Sequence, residues 1–314
     1  MDQFLVTGCS GYLGSVLVGE LLNRFPDCKV IGVDNLMYGQ DSVVQYCYNK
    51  QFEFHYMDVR DEEKLCNLVK KSDVIFPLAA IVGFPACDKD PYLAEKVNVG
   101  HIRTIVENLS KSQILILPQT NSGYGIGVDG HCTEENELNP ITTYGKTKCE
   151  AEKLVLNHSD GISLRLATVF GTSPRMRLDL LVNHFTYDAV TKGYIVLFEK
   201  DFKRNYIHIR DVINTFIFMY LNYDKYKRNI FNVGLSDANL SKFELANKIR
   251  NFIPEFTIKV DEIKSDPDKR NYVVSNSKLE STGWSPCYSL DDGIQELIKA
   301  YKIIGNIREV YKNV

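Results

Sequence analysis

Tyr144 and Lys148 are the two residues of this sequence whose types and spacing best suit chemistry. The segment that begins at Tyr144 continues as YGKTKCEAEKLVL, a helical pattern, so positions 144 and 148 share one helical face. A free tyrosine has a pKa near ~10 and is a poor base at neutral pH. A neighbouring lysine ammonium favours the phenolate and lowers that pKa. Tyr144 is therefore a candidate general base for an alcohol, although such pairs also occur by chance in many helices.

A buried-type strand near 113–118 precedes this helix and ends in hydroxyl and amide side chains, in the order PQTNSGYG. Thr120 or Ser122 at this strand end could donate a hydrogen bond to a reacting hydroxyl. A hydroxyl beside a tyrosine base is an arrangement suited to proton removal from an alcohol.

The stretch VTGCSGYLGS near the start of the chain follows the apolar run Phe4–Val6 and leads into a helical pattern. Its glycines, Gly8, Gly11 and Gly14, predict a strand, a tight turn and a helix N-terminus that faces a phosphate. The spacing is G-x-x-G-x-x-G and differs from the general dinucleotide fingerprint. Three glycines can equally form an ordinary turn, so the context must decide.

The second predicted strand, near 29–33, ends at Asp34, twenty residues beyond Gly14. A carboxylate there would accept hydrogen bonds from ribose hydroxyls and repel a 2′-phosphate, which favours NAD over NADP. Asp58 follows the third predicted strand, where open α/β sheets bind ligands. A turn before Asn35 and an N-cap at Asp58 are the plain structural alternatives.

Short strand-like runs alternate with helical patterns through the first half of the chain, near 3–7, 29–33, 52–56, 73–79, 113–118 and 162–168. This rhythm predicts an α/β fold with a parallel sheet covered on both faces. Small residues after the fourth strand, at Ala79 and Ala80, would let a cofactor lie close to the backbone. Beyond about residue 171 the pattern changes, and Pro174 indicates the start of a helix.

The composition excludes several other classes. The 314 residues carry a net charge of −3, which gives no footprint for nucleic acid or an anionic membrane. The longest apolar run, 74–82, is too short to cross a membrane, so we expect a cytoplasmic protein. The eight cysteines form no C-x-x-C pair, and neither they nor the six histidines have metal-ligand spacing, so we expect no metal.

Taken in order, these motifs resemble the extended short-chain dehydrogenases/reductases that act on nucleotide sugars, the NDP-sugar epimerase/dehydratase family. The resemblance covers nearly the whole chain and is carried by VTGCSGYLG, Asp34, Asp58-Val59, LAA, VNVG, QTNSGYG and TTYGKTK. It implies a Rossmann-type doubly wound parallel sheet with a smaller α/β cap, NAD as cofactor and a nucleotide-diphosphate sugar as substrate. It also implies a homodimer or higher homo-oligomer through helices near 92–109 and 143–158.

Position by position, the resemblance gives Thr120 the role of the catalytic hydroxyl, Tyr144 that of the base, and Lys148 that of the residue holding nicotinamide ribose. The implied cofactor contacts are Gly8, Gly11, Tyr12, Leu13, Gly14, Asp34, Asn35, Asp58, Val59, Leu78, Ala79, Ala80, Asn98, Tyr144 and Lys148. The implied substrate contacts are Thr120, Ser122, Thr168, Arg175, Asn183, Phe198, Arg204 and Arg270. A planar arginine fork suits a diphosphate, although a solvated basic turn explains any one arginine equally well. An ordinary core role is equally open for Phe198.

One departure from the family bears on the reaction. The family's dehydratases carry acidic residues directly after the catalytic Thr or Ser, whereas this chain has Asn121 and Ser122. Neither side chain is a useful proton donor at neutral pH, which disfavours elimination. The remaining expectations are oxidation at C4 of the sugar or 4-epimerisation, with 4,6-dehydration behind them. Among family members the chain looks most like the GDP-mannoheptose 4-dehydrogenases of surface-polysaccharide pathways.

The same resemblance predicts how the chain divides. We expect an NAD-binding domain over 1–171 and a nucleotide-sugar-binding domain over 172–314, with 206–228 returning to the first. A protein that binds NAD without turnover is a second class, but such relatives usually lose the tyrosine and lysine that this chain retains.

Overall fold

The computed structural model describes residues 2–127, 130–261 and 270–305. Its first part alternates strands and helices, as follows: β1 (Gln3–Thr7), α1 (Tyr12–Arg24), β2 (Lys29–Asp34), β3 (Phe52–Tyr56), α2 (Glu62–Lys71), β4 (Val74–Pro77), α3 (Phe84–Lys89), α4 (Pro91–Glu95), α5 (His101–Asn108), β5 (Ile114–Thr120), α6 (Thr143–His158) and β6 (Ile162–Leu166). A π-helical turn, Lys96–Gly100, joins α4 to α5, and a 3₁₀ turn, Asn121–Tyr124, follows β5.

The second part of the chain is more mixed. Its elements are β7 (Thr168–Phe170), α7 (Leu181–Thr191), β8 (Tyr194–Leu197), β9 (Lys203–His208), α8 (Ile209–Leu221), α9 (Tyr223–Tyr226), β10 (Ile230–Val233), β11 (Asn239–Ser241), α10 (Lys242–Phe252), β12 (Thr257–Val260), α11 (Ser277–Glu280) and α12 (Leu290–Ile304).

Seven parallel strands form the central sheet in the order β10-β6-β5-β4-β1-β2-β3. The chain moves outward from β1 through β2 to β3, then returns to β4 on the other side of β1. This is the doubly wound arrangement, and its ligand crevice lies at the carboxyl ends of the strands near β1 and β4. The predicted Rossmann-type parallel sheet is confirmed.

Two small sheets accompany the large one. In the first, β9 pairs with β7 in parallel and with β11 antiparallel, and in the second β8 and β12 are parallel. The predicted strand at 162–168 is wrong in its extent, because β6 ends at Leu166 and Thr168 begins β7 in a different sheet. A helix start at Pro174 is also wrong, since the next helix begins at Leu181.

Helix α8 packs against α1 and lies on the large sheet. The Tyr220 ring makes edge contacts with the rings of Phe4 and Phe25, with centroids 5.1 and 5.5 Å apart. The ring centroids of Phe216 and Phe76 are 5.6 Å apart. The chain then adds β10 to the edge of the large sheet beside β6. This path agrees with a return of 206–228 to the first half, although the domain boundaries themselves stay a prediction.

Candidate active site

The glycine loop joins β1 to α1 at the centre of the sheet's carboxyl edge. Gly8 has a φ of +68°, and a Cβ there would meet the backbone of Ala79 at 2.7 Å. A Cβ on Gly14 would lie 2.2 Å from the Gly8 carbonyl oxygen. Both positions therefore require glycine, the first for its turn conformation and the second for close packing of helix on loop.

Helix α1 begins directly after Gly11, and no side chain caps its N-terminus. The backbone N–H groups of a first helical turn carry a partial positive charge and bind anions such as phosphate. An uncapped helix N-terminus behind a tight glycine loop therefore fits the pyrophosphate of a dinucleotide. Leu13 is half-buried in this first turn.

Asp34 ends β2 beside this loop and is buried. Its carboxylate accepts hydrogen bonds from the N–H of Ser10 at 3.0 Å and of Leu36 at 2.9 Å. Burial raises the pKa of Asp34, and these backbone bonds act in the opposite direction. Each carboxylate oxygen has a second lone pair, so the side chain can still accept a hydrogen bond from a ribose hydroxyl.

Asp58 and Asn35 lie at the ends of neighbouring strands and contact each other, with 3.2 Å between Asn35 Nδ2 and Asp58 Oδ2. Arg60 donates two hydrogen bonds to the Asp58 carboxylate, at 2.9 and 2.8 Å. This pairing lowers the pKa of Asp58 to about 2. Val59 is buried beside it. The predicted pair of Asn35 and Asp58 is thus brought together, but Asp58 is also held by Arg60.

The segment after β4 lies directly against the glycine loop. Leu78 and Ala79 contact Gly8, Ala79 N–H donates to Thr7 Oγ1 at 3.2 Å, and Ala80 is half-buried beside them. Asn98 was predicted to bind the cofactor, but its amide is used within the protein. It accepts from Ile81 N–H at 2.8 Å and donates to Ile81 O and Thr147 Oγ1, both at 3.0 Å. In this arrangement the Asn98 side chain ties the β4 loop to α6.

Thr120, the last residue of β5, lies beside Tyr144 near the start of α6. The Oγ1 of Thr120 donates to Ser122 Oγ at 3.0 Å, and the Thr120 side chain is near enough to the tyrosine hydroxyl to act to lower its pKa. Thr142 caps α6, accepting from Gly145 N–H at 3.1 Å, and thereby fixes the first turn that carries Tyr144. The structure therefore brings together a hydroxyl pair and a tyrosine, as the sequence predicts.

The predicted lowering of the Tyr144 pKa by Lys148 stays a prediction, because it was made for a site with the nicotinamide ring bound. Burial raises the pKa of Tyr144 to about 12, and the positive charges that oppose this rise are those of Arg177 and Arg270. Lys148 is itself buried one turn along α6, and burial lowers its pKa to about 8, against the opposing charge of Glu152. A lysine that has lost part of its own charge to burial gives a neighbour less electrostatic help than an exposed one.

Arg270 and Arg204 meet near the hydroxyl pair. The Arg270 guanidinium donates to Ser122 Oγ, and its charge acts on Tyr144. Arg204 is buried, lies 5.4 Å from the Tyr272 ring and donates to the backbone carbonyls of Lys203 and Arg270. Arg270 therefore reaches the candidate catalytic residues directly, while Arg204 holds the Arg270 segment from behind.

Asn183 and Tyr12 contact each other in the interior. Asn183 is fully buried; its amide accepts from Gly171 N–H at 3.1 Å and donates to Arg177 O at 2.8 Å. It also donates to the Tyr12 hydroxyl at 3.3 Å, and that hydroxyl donates to Gly171 O at 2.7 Å. Both side chains thus have hydrogen-bond partners within the protein, and the predicted cofactor role of Tyr12 and substrate role of Asn183 stay predictions.

Two predicted substrate residues take ordinary positions. Thr168 begins β7 opposite Tyr206, and both Thr168 and Phe198 are half-buried. The Phe198 carbonyl accepts from Lys242 Nζ at 2.9 Å just after β8. Their predicted substrate roles stay predictions.

Asn121 was not predicted as a site residue, and Arg177 was considered only beside Arg175 as a candidate for a substrate diphosphate. Asn121 stands between Thr120 and Ser122, is 1% exposed, and neither of its amide atoms has a hydrogen-bond partner within the described part of the chain. Arg177 forms an ion pair with Asp179, and its charge is the largest influence that lowers the pKa of Tyr144 against the effect of burial. Adjacency to Thr120 could have drawn attention to Asn121, but nothing in the sequence places residue 177 near residue 144.

Within 2–127, 130–261 and 270–305, no group of three or more His, Cys, Asp or Glu could hold a metal ion. Over the same ranges, no helix combines the length and apolar character needed to cross a bilayer.

Comparison with known proteins identifies the family. The model of the NAD dependent epimerase/dehydratase family matches residues 4–234, well over half of the chain. The chain belongs to this family. It is therefore an NAD-dependent enzyme, and its relatives are nucleotide-sugar epimerases and dehydratases.

Several relatives match along almost their whole length. The low-salt glycan biosynthesis protein Agl12 of Haloferax volcanii is 27% identical over 311 residues, which cover 95% of this chain and 97% of the relative. A UDP-glucose 4-epimerase of Lactobacillus helveticus is 26% identical over 329 residues, covering 96% and 97%.

Solved structures agree on the fold. The UDP-glucuronic acid 4-epimerase of Bacillus cereus, in complex with UDP-glucuronic acid and NAD, matches with a TM-score of 0.85 at 23% identity, covering 96% of this chain and 99% of that one. A dTDP-glucose 4,6-dehydratase from Bacillus anthracis, in complex with NAD, matches with a TM-score of 0.83 at 21% identity, covering 97% and 98%.

Proposed function

We propose that the protein oxidises the C4 hydroxyl of a nucleotide-linked sugar to a 4-keto sugar. The observation that carries this proposal is the placement of Tyr144 on α6 one helical turn before Lys148, with the hydroxyl pair of Thr120 and Ser122 at the adjoining end of β5. The uncapped turn at Gly11 and the carboxylate of Asp34 fit NAD, which supplies the hydride acceptor when it is bound.

Each of the three residues has a distinct task. Thr120 accepts or donates a hydrogen bond to the reacting hydroxyl and orients it toward the Tyr144 oxygen. Tyr144 takes the hydroxyl proton as general base, helped by the nearby charges of Arg177 and Arg270. Lys148, near-neutral in pKa, holds the ribose hydroxyls and stabilises the phenolate while it keeps its charge.

The residues beside Thr120 favour oxidation over elimination. Loss of water from a sugar needs a proton donor for the departing hydroxyl. The amide of Asn121 does not titrate, and Ser122 accepts a hydrogen bond from Arg270. With no acid at positions 121 and 122, a 4-keto product or its reduction from the opposite face is favoured over 4,6-dehydration.

A 4-epimerase is the second candidate, because a relative that matches nearly end to end is named as one. In an epimerase the electrons return to the sugar, whereas in a dehydrogenase they leave as NADH. The sequence resemblance makes GDP-D-glycero-D-manno-heptose the first substrate to try, in a surface-polysaccharide pathway. A homodimer and a cytoplasmic location stay predictions.

The decisive experiment incubates the protein with NAD⁺ and UDP-, GDP- and dTDP-linked sugars, and follows NADH absorbance and product mass together. Lasting NADH with a product two hydrogens lighter supports the dehydrogenase, an isomer of unchanged mass supports the epimerase, and loss of water overturns the assignment to either.

The variant Tyr144→Phe tests the mechanism. We expect it to lower turnover by about 10²–10⁴-fold while NAD binding stays nearly intact, because only the proton-accepting oxygen is lost. Tyr92→Phe, on a tyrosine that is 69% exposed, is the matched control and should behave as wild type. Full activity of Tyr144→Phe would refute the role given to this residue.

A further inference from the structure

Arg175 contacts the loop that follows β2. It was predicted to contact substrate, yet its guanidinium carbon lies 5.3 Å from the centre of the Tyr38 ring, four residues beyond Asp34. Burial raises the pKa of Asp34, and the nearby charge of Arg175 acts in the opposite direction. Arg175 is itself only 3% exposed. A buried arginine thus lies against the loop that follows the buried carboxylate of Asp34 at the carboxyl end of β2.

The position of Arg175 is fixed by its neighbours. Ser173 Oγ donates to the Tyr12 carbonyl at 2.8 Å and lies 3.0 Å from Ser15 Oγ, both in the first turns of α1. The Arg175 N–H in turn donates to Ser173 Oγ at 3.2 Å. Because Tyr12 also bonds to Gly171, this segment of the second half is held against the glycine loop. These hydrogen bonds of Ser173 therefore hold Arg175 on the cofactor side of the crevice.

We infer that Arg175 and Tyr38 belong to the adenosine end of the cofactor site, and that Arg175 and Asp34 together read the 2′ position of the adenosine ribose. This inference rests on the NAD site proposed above. A carboxylate accepts a hydrogen bond from a 2′-hydroxyl and repels a 2′-phosphate, whereas an arginine fork binds a phosphate with two parallel hydrogen bonds. The chain carries both groups. The Asp34 carboxylate repels the 2′-phosphate of NADP, which prevents Arg175 from binding it.

Removal of Asp34 tests this pairing. We expect Asp34→Ser to bind NADP at least about tenfold more tightly than wild type does. The variant gains a charge-assisted pair between Arg175 and the 2′-phosphate and loses the repulsion between Asp34 and that phosphate. The double variant Asp34→Ser with Arg175→Met should lose that gain. Asp34→Ser with Arg24→Met is the matched control, because Arg24 lies at the far end of α1, paired with Glu20, and should leave the gain intact. Equal NADP binding in both double variants would overturn the inference.

The single variant Arg175→Met tests whether Arg175 contacts the cofactor or the substrate. We expect ADP-ribose, which lacks nicotinamide, to bind about tenfold more weakly, while UDP and GDP bind within about twofold of wild type. Weaker UDP or GDP binding with unchanged ADP-ribose binding would return Arg175 to the substrate. If circular dichroism shows that Arg175→Met does not fold, Arg175→Lys keeps the charge and loses the fork, and the same comparison applies. Failure of the wild-type protein to bind NAD would instead overturn the proposed function itself.

Discussion

The ion pair between Arg165 and Glu152 lies behind the candidate catalytic residues and allows a quantitative test. Arg165 Nη2 is 2.8 Å from Glu152 Oε1, and Arg165 Nε donates to Oε2 at 3.1 Å. Ser163 Oγ donates to the same carboxylate at 2.6 Å, and both charged side chains are 4% exposed. The pair joins β6 to α6 one turn beyond Lys148, so it bears on both stability and the charge of the lysine.

The variant Glu152→Gln leaves the Arg165 charge buried without its counterion. Breaking a buried pair from one side costs about 3–5 kcal/mol of unfolding free energy. Glu150→Gln on the same helix is the matched control, because Glu150 lies 3.7 Å from Arg103 with both side chains about half exposed. Exposed pairs of this kind contribute about 0–1 kcal/mol. Urea denaturation of both variants measures the difference, and equal midpoints would refute the reasoning from burial.

Glu152→Gln should also change the pH dependence. Burial lowers the pKa of Lys148 to about 8, and the Glu152 carboxylate acts against that decrease. Without the carboxylate the lysine loses its proton at a lower pH, so the alkaline decline of kcat/KM should begin earlier. An alkaline decline at the same pH in Glu152→Gln and wild type would show that Lys148 does not sense this carboxylate.

Two further outcomes follow from the cofactor loop and the lysine. Gly14→Ala should lower stability by about 1–3 kcal/mol and weaken NAD binding, because its Cβ would meet backbone at 2.2 Å; Gly100→Ala, with nothing within 4 Å of its Cβ, should do neither. Thermal unfolding and NAD titration of the two variants compare them directly. In wild type, kcat/KM should fall above pH 8 as Lys148 loses its proton, and Lys148→Arg should remove that fall because arginine stays charged. Persistence of the fall in Lys148→Arg would assign it to another group.

The sequence was sufficient for the features that depend on local spacing. Gly8 and Gly14 were predicted to form a turn and a close helix contact, and the structure gives each of them backbone contacts that leave no space for a Cβ. Asp34 was placed at the end of its strand by counting from the loop, and it lies beside the N–H of Ser10. These features involve neighbours within one βαβ unit, where strand and helix periods determine the geometry.

Features that depend on the folding of the second half could not be predicted in the same way. Arg175 and Arg177 are two residues apart, yet the first lies near Tyr38 and the second acts on Tyr144. Residues 171–180 form no regular helix or strand, so neither the helical nor the strand repeat indicates which way each side chain points. Asn183 was assigned to substrate by resemblance, but its hydrogen bonds to Gly171 and Arg177 are a matter of tertiary packing. Such partners are distant in sequence or lie on segments without regular secondary structure.

The groups that act on the pKa of Tyr144 come from both halves of the chain. Burial raises the pKa of Tyr144 to about 12, so nearby positive charge is needed for this residue to act as a base at neutral pH. Lys148, the cation of the first half, has a pKa of only about 8 because it is buried. Arg177 and Arg270, whose charges act to lower the pKa of Tyr144, both belong to the second half. The candidate base on α6 therefore depends electrostatically on residues of the second half.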